Sequence, residues 1–256
     1  MNPGEFELMA AAEDRHWWYR GLRDAVARCL ARPDLRLPSH PRVLDAGCGT
    51  GANLRFLGEL LQPSYLGGFD SSEEALSLSA RKAPAGADLY RSDIRDPILR
   101  AGDLDLVVSL DVIYIPGAQE SMKGIERLVG ALRGGGLLIL NLPAYDWLYS
   151  EHDVAVHTRE RFTARKTRAL LDGVGLRIAR LSYRLCLLFP VVALARVPGM
   201  IRARRGMSGA RSDLHAVPGE AASGALLALL RMENRLLARG VRLPWGSSVF
   251  AIGRKT

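Results

Sequence analysis

The chain has 256 residues, 48% hydrophobic and 24% charged, which excludes wholesale disorder and suits one α/β domain with appendages. Its three cysteines, Cys29, Cys48 and Cys186, form no CxxC pair. That argues against a disulfide framework or zinc knuckle and for a reducing cytoplasm. The net charge of +8 is uneven: residues 1–157 carry 16 Lys and Arg against 22 Asp and Glu, residues 158–256 carry 19 against 5. The C-terminal part therefore either faces an anionic partner or simply wears arginine on solvated faces.

Met1 to Ala12 lacks the basic-then-apolar pattern of an export signal, and no apolar run reaches the length of a membrane span, so a cytoplasmic protein is expected. Glu5–Arg32 reads as helical around the cluster His16-Trp17-Trp18-Tyr19, until Pro33, Pro38 and Pro41 break it. From residue 42, short apolar runs alternate with helical stretches, the pattern of βαβ units and a parallel sheet. Strands are expected at Arg42–Ala46, Tyr65–Phe69, Asp88–Arg91, Leu104–Leu110, Gly136–Leu142, Arg177–Arg184 and Ser247–Arg254. Helices are expected at Asn53–Leu61, Ser72–Lys82, Gln119–Leu132 and Arg165–Asp172. Leu185–Leu243 stands between the last two strands as an insert. It runs from a Pro-broken apolar stretch (Leu185–Met200) through a basic segment expected to be disordered (Ile201–Arg211) to an amphipathic helix (Ala221–Arg239).

The chemistry starts at Val43-Leu44-Asp45-Ala46-Gly47-Cys48-Gly49-Thr50-Gly51-Ala52. An apolar strand runs into a glycine turn that opens a helix, so the backbone turns tightly and a ligand can approach without Cβ atoms in the way. Read as Gly47-x-Gly49-x-x-Ala52 the loop also satisfies a dinucleotide fingerprint. Asp45 opposes that, because its carboxylate would repel a pyrophosphate at the helix N-terminus, while it suits a ligand bearing an ammonium and a sulfonium. Asp70, with Ser71 beside it, ends the second strand where ribose hydroxyls are bound; a helix cap is the alternative. Asp93 follows the third strand, placed for an adenine amine with Ile94 against the ring, or as a turn residue.

These segments resemble the class I S-adenosylmethionine-dependent methyltransferases: VLDAGCGTG (43–51), FD (69–70), SDI (92–94), DLVVSLDVIYI (105–115) and RGGGLLILNLP (133–143). The resemblance implies a Rossmann-like α/β fold whose mostly parallel seven-stranded sheet, in the order 3-2-1-4-5-7-6, carries helices on both faces. It implies S-adenosylmethionine as cofactor, with Asp45 and the Gly47, Cys48, Gly49 and Gly51 loop on the methionine portion. Asp70 would bind ribose, Asp93 and Ile94 would flank adenine, and Leu110 and Asp111 would line the methyl-transfer pocket. Relatives often carry an acidic residue and a His after the fourth strand; here Tyr114 takes the His place. EDRHWWYRGLRD (13–24), residues 142–163 and RLPWGSSVFAIGRK (242–255) resemble a bacterial subgroup acting on lipid-linked, glycan or secondary-metabolite substrates. On that basis residues 1–38 form a helical lid that brings Trp18, Tyr19 and Arg20 to the cofactor. The methyltransferase domain covers 39–184 and 244–256, and the insert covers 185–243.

Methyl transfer from a sulfonium needs a base only when the acceptor must lose a proton. Tyr114, His152 and His157 are the catalytic candidates, with Tyr145 and Asp153 nearby. His152-Asp153 and His157 lack the further ligand a zinc site needs, so no metal is expected. The expected substrate is a small or amphiphilic, anionic molecule. For the insert three readings stand: a cap over the substrate pocket, which is preferred, a homo-oligomer contact, or an interfacial segment over 185–211 that meets a membrane surface. Nicotinamide-dependent oxidoreduction lacks a Tyr-x-x-x-Lys pair. Nucleic-acid methylation lacks its aromatic Pro-Pro motif, Asn141-Leu142-Pro143-Ala144-Tyr145 being a distant echo. A non-catalytic cofactor-binding subunit is the remaining reading.

Overall fold

In the structure, a computed structural model describing residues 4–116, 118–205 and 219–256, the apolar runs assemble into one seven-stranded sheet. In chain order the elements are α1 (Glu5–Ala12), α2 (Trp17–Leu30), β1 (Arg42–Ala46), α3 (Ala52–Leu61), β2 (Tyr65–Asp70), α4 (Glu73–Ala80), β3 (Asp88–Arg91) and β4 (Leu104–Leu110). Then follow α5 (Ala118–Ala131), β5 (Leu132–Pro143), α6 (Glu151–Ala155), α7 (Ala164–Gly173), β6 (Leu176–Arg184), α8 (Phe189–Arg204), α9 (Glu220–Ala238) and β7 (Ser248–Lys255). The strand order is β3-β2-β1-β4-β5-β7-β6, with β7 antiparallel to both neighbours and every other pairing parallel. This is the Rossmann-like sheet that the resemblance implies.

Both faces are covered, which is why β4 is buried at every position and reads as continuous apolar sequence rather than alternation. Successive side chains still go to opposite faces. Leu44, Val107, Leu138 and Leu140 pack with Ile125 of α5 and Leu171 of α7. Val43, Leu106, Val108 and Ile139 pack with Val26 of α2, Leu54 of α3 and Leu237 of α9. A doubly wound sheet leaves a crevice beyond the C-terminal ends of its parallel strands, and the acidic residues Asp45, Asp70 and Asp111 all lie there.

The departures from expectation have local causes. The helix expected over Glu5–Arg32 is two helices, because His16 is extended and its Nδ1 accepts the Trp18 N–H at 3.3 Å, capping α2. The two have different places: α2 is a core helix, whereas α1 packs on α4. The insert divides likewise. α9 buries Leu227, Leu230 and Leu237 and packs along α2, while α8 has no buried residue. The Pro-broken stretch is helical because Pro190 sits in the first turn, where no N–H partner is required. Of the basic segment expected to be disordered, Ile201–Arg204 completes α8, and residues 206–211 lie outside the described residues.

Candidate active site

Three glycines shape the turn between β1 and α3, with φ of +79° at Gly47, +52° at Gly49 and +92° at Gly51. The N–H groups of Gly47 and Cys48 donate to the Phe69 carbonyl at 2.9 and 2.8 Å, lashing the loop to β2. The Asp70 carboxylate continues the lashing: the Gly49 N–H donates to its Oδ2 at 3.1 Å and the Ser72 N–H to its Oδ1 at 2.9 Å. The cap of α4 is Ser72, whose Oγ accepts the Ala75 N–H at 3.2 Å. Asp70 is thus a brace of the glycine loop at the strand end where ribose was expected.

Gly51 has no room for a side chain, because a Cβ there would lie 2.8 Å from the Ser79 Cα and 3.0 Å from its carbonyl oxygen. Gly51→Ala is expected to cost about 2–3 kcal/mol, from left-handed strain plus displacement of α4. The melting temperature then falls by roughly 5–10 °C, readable by thermal denaturation.

Asp45 is buried, and among the described residues neither of its carboxylate oxygens has a hydrogen-bond partner. Burial first, then the nearby carboxylates of Asp70 and Glu13, push its pKa up to about 8. Lys82 pairs with Glu13 at 2.6 Å and also donates to the Ala10 carbonyl, tying α1 to the end of α4. The Met9 methyl lies 3.0 Å from where a Gly49 Cβ would be, so α1 reaches over the loop.

Trp18 meets Tyr19 edge to face at 5.0 Å. Tyr19 is flanked by Glu13 and Asp111, and burial raises its phenol well above the ordinary range. Arg20, expected at the cofactor, is exposed. Arg23 holds that neighbourhood instead: its Nη2 donates to the Glu13 carbonyl at 2.6 Å, and its Nη1 is buried without a partner among the described residues. Beyond β3, Arg95 grips Asp93 with its backbone N–H at 2.9 Å and its Nε at 3.0 Å, holding the carboxyl below its usual range. Ile94 is half-buried against the core. Ser71 is exposed and its carbonyl accepts Arg91 Nε at 3.1 Å. Cys48 is buried 4.0 Å from Ser79 Oγ, with its thiol raised by burial.

On the other side of the crevice, Leu110 is buried and Asp111 follows it with a φ of +61°. Asn141 Nδ2 donates to both Asp111 oxygens at 3.0 Å. Arg184 Nη1 in turn donates to Asn141 Oδ1 at 3.2 Å. Burial pushes Asp111 up to about 7 against the opposing effects of Asn141 and Arg184. Arg184 itself is 1% exposed, burial lowers it to about 10, and its Nε and Nη2 have no partner among the described residues. Its strongest acidic influences are Asp111 and Glu233, and Glu233 already accepts the N–H groups of Cys186 and Leu187.

Tyr114 is buried near Asp111, and burial raises its phenol far above the ordinary range, so near neutral pH it donates hydrogen bonds rather than accepting protons. Asp153 is committed elsewhere: it caps α6 through the Ser150 N–H at 2.9 Å and pairs with the buried Arg161 at 2.5 Å. His152 is half-buried on α6, and His157 is exposed with a φ of +63°. Tyr145 stacks on Tyr183 with ring centroids 5.2 Å apart. Among the described residues no three His, Cys, Asp or Glu side chains converge as a metal site.

Sequence reading missed Arg23, Asn141, Arg161 and Arg184. Asn141 carried a signal, as a polar residue inside the buried apolar run Leu137–Leu142. Arg184 carried none, since it looks like an ordinary strand-end arginine.

Residues 43–136 match the family model described as a methyltransferase domain. Among curated proteins, the chain is 32% identical over 134 residues to the biotin biosynthesis bifunctional protein BioCD of Bordetella avium, covering 51% of this chain and 28% of that protein. It is 28% identical over 163 residues to the trans-aconitate 2-methyltransferase of Deinococcus radiodurans, covering 62% of this chain and 57% of that one. The matches therefore span only part of either relative. An S-adenosylmethionine-dependent methyltransferase structure from Mesorhizobium loti superposes with a TM-score of 0.56 at 17% identity, over 86% of this chain and 94% of that one. Residues 43–136 are thus matched as a methyltransferase domain, and they lie on a β3-β2-β1-β4-β5-β7-β6 sheet with an acid-bearing glycine loop at its crevice, an arrangement similar to that of the class I S-adenosylmethionine-dependent methyltransferases.

Proposed function

We propose that the chain transfers a methyl group from S-adenosylmethionine to a small or amphiphilic acceptor that carries a carboxylate or a phosphate. The observation that carries the reading is Asp45, a buried carboxylate without a hydrogen-bond partner among the described residues, beside three positive-φ glycines. Such a group is costly unless a cation meets it. The ammonium of an amino-acid moiety answers that need, and the pyrophosphate of a nicotinamide dinucleotide would worsen it. The methionine portion falls to Asp45, the glycine loop and Arg23, and the nucleoside to the ends of β2 and β3, around Asp70 and Ile94. Bound there, S-adenosylmethionine supplies a methyl group already activated for displacement.

The chain's own tasks are alignment and exclusion of water. Tyr19 and Tyr114 stay protonated and donate hydrogen bonds at the methyl end. Asp111, with a pKa near 7, is the group able to take a proton from an acceptor hydroxyl or amine; a carboxylate acceptor needs no base. The partnerless edge of Arg184 receives the acceptor's anionic group. His152, half-buried on α6, and His157, exposed just after it, are given no part in the proton transfer by this reading.

Calorimetric titration of S-adenosylhomocysteine and of NAD into the full chain tests the donor. Saturable micromolar binding of the former with none of the latter is the expected result. Retention of NAD with indifference to S-adenosylhomocysteine would overturn the assignment in favour of an oxidoreductase.

A further inference from the structure

We infer that α8 docks the protein on an anionic lipid surface. A helix on the outside of a water-soluble protein turns polar residues outward; α8 and the residue pair before it do the reverse. Every exposed residue from 187 to 201 is apolar. Leu187, Val191, Leu194, Val197 and Ile201 recur at intervals of three or four and form one stripe. Val191 is 64% and Leu194 72% exposed. The one charged side chain in that interval, Arg196, is half-buried and lies close enough to Arg161 to influence it, on the side facing the protein.

The charge pattern selects the occupant. From Leu185 to Arg211 the sequence contains five arginines and no acidic residue. Arg202, Arg204 and Arg205 are exposed at the end of the stripe, Arg202 pairing with Glu151 of α6 at 2.8 Å. An apolar face that ends in a cluster of cations matches a bilayer with anionic headgroups, where the side chains enter the acyl boundary and the arginines stay at headgroup level. Trp147, half-exposed and edge-on to Phe189 at 5.9 Å, adds the kind of ring that favours such a boundary. A second copy of the same helix suits the face less well, because it offers no carboxylate to its partner's arginines. Among the described residues no helix is long and apolar enough to cross a membrane, and Pro198 interrupts this one, so the contact lies on the surface.

The docking face is independent of methyl transfer, although the two fit together. α8 packs on α6 and on the turn at residues 146–148, both of which follow the C-terminal end of β5 where Asn141 meets Asp111. An amphiphile in the bilayer would therefore meet the protein on the side of the acceptor crevice.

The test is co-sedimentation of the full chain with vesicles of phosphatidylcholine plus phosphatidylglycerol, and of phosphatidylcholine alone. The chain should pellet with the anionic vesicles at low salt, and high salt should release most of it. Leu194→Glu with Val191→Glu, and separately Arg204→Glu with Arg205→Glu, should each lower the partition coefficient by about tenfold or more. All four positions are exposed, and unchanged affinity for S-adenosylhomocysteine shows that the variants remain folded. Absence of vesicle binding by the wild type would overturn the inference, as would binding that neither pair alters. A dimer in solution that Leu194→Glu converts to monomer, without vesicle binding, would overturn it in favour of a self-association face.

Discussion

Asp45→Asn is expected to melt at a higher temperature than the wild type and to lose most of its cofactor affinity, a combination that a merely structural residue does not give. The carboxyl of Asp45 has no hydrogen-bond partner among the described residues and a pKa raised to about 8, above an ordinary value of 3.8. The folded chain therefore keeps a proton that the unfolded chain has already released. By linkage this contribution to stability is fully present below about pH 4 and is lost as pH rises towards 8. Each unit of difference is worth about 1.4 kcal/mol, so near pH 7 the native state carries a substantial burden that an amide does not share. Removing it should raise the melting temperature by about 5 °C and flatten its fall between pH 5 and 8. The same substitution deletes a charge-assisted contact to an ammonium, which should weaken S-adenosylhomocysteine binding about thirtyfold or more. In the wild type, binding of that ammonium needs the ionised form, so affinity should climb with pH until about 8. Thermal melts and calorimetry across that range measure both quantities. If neither moves, Asp45 is not the group that receives the donor's positive charge.

The parts of the fold set by short-range physics were legible. β1, β3 and β4 occupy the expected residues, and β2 agrees to within one, because continuous apolar runs bounded by Gly, Pro and Asp leave little choice for a doubly covered strand. The glycine loop was legible because alternating glycines after such a strand have few other uses. What escaped was set at long range. The orientation of α2 depends on α9, more than 200 residues later. Asn234 Nδ2 donates to the Gly21 carbonyl at 2.8 Å, and a Cβ on Gly21 would lie 2.4 Å from Leu230. That packing leaves Arg20 outside and turns Arg23 to the turn beside the glycine loop, a distinction no local pattern contains. The same holds across the crevice. Asp111, Asn141 and Arg184 lie at or near the C-terminal ends of three different strands: the pairing of β4 with β5 joins the first two, and Arg184 reaches Asn141 because β7 slots between β5 and β6. Their separations in sequence give no hint of contact. The insert shows the third kind of miss: composition marked it as one unit, yet α9 helps to build the core while α8 rides outside it.

Arg184→Met should lower kcat/KM about a hundredfold for whichever carboxylate or phosphate acceptor the wild type methylates, with S-adenosylhomocysteine affinity unchanged. The guanidinium is buried, has no ion-pair partner among the described residues, and presents Nε and Nη2 without acceptors. A bidentate anion is the ligand such an edge accepts best, and a thioether of similar length fills the space without offering a hydrogen bond. The loss should therefore fall mainly on KM, and Arg184→Lys should recover part of it through charge without the paired geometry. A second readout does not require the acceptor. Arg184 favours the ionised form of Asp111, so its removal must raise the Asp111 pKa above about 7. A carboxyl raised further keeps its proton to higher pH, and the pH-dependent decline of stability should extend correspondingly upward. For an acceptor that needs a base, the acid limb of the rate profile should move the same way. Glu233 keeps its two backbone N–H donors in the variant, so the turn into α8 survives the substitution. A folded Arg184→Met enzyme with wild-type kcat/KM and an unmoved pH profile would mean that the guanidinium only braces Asn141 and that the acceptor's charge is met elsewhere.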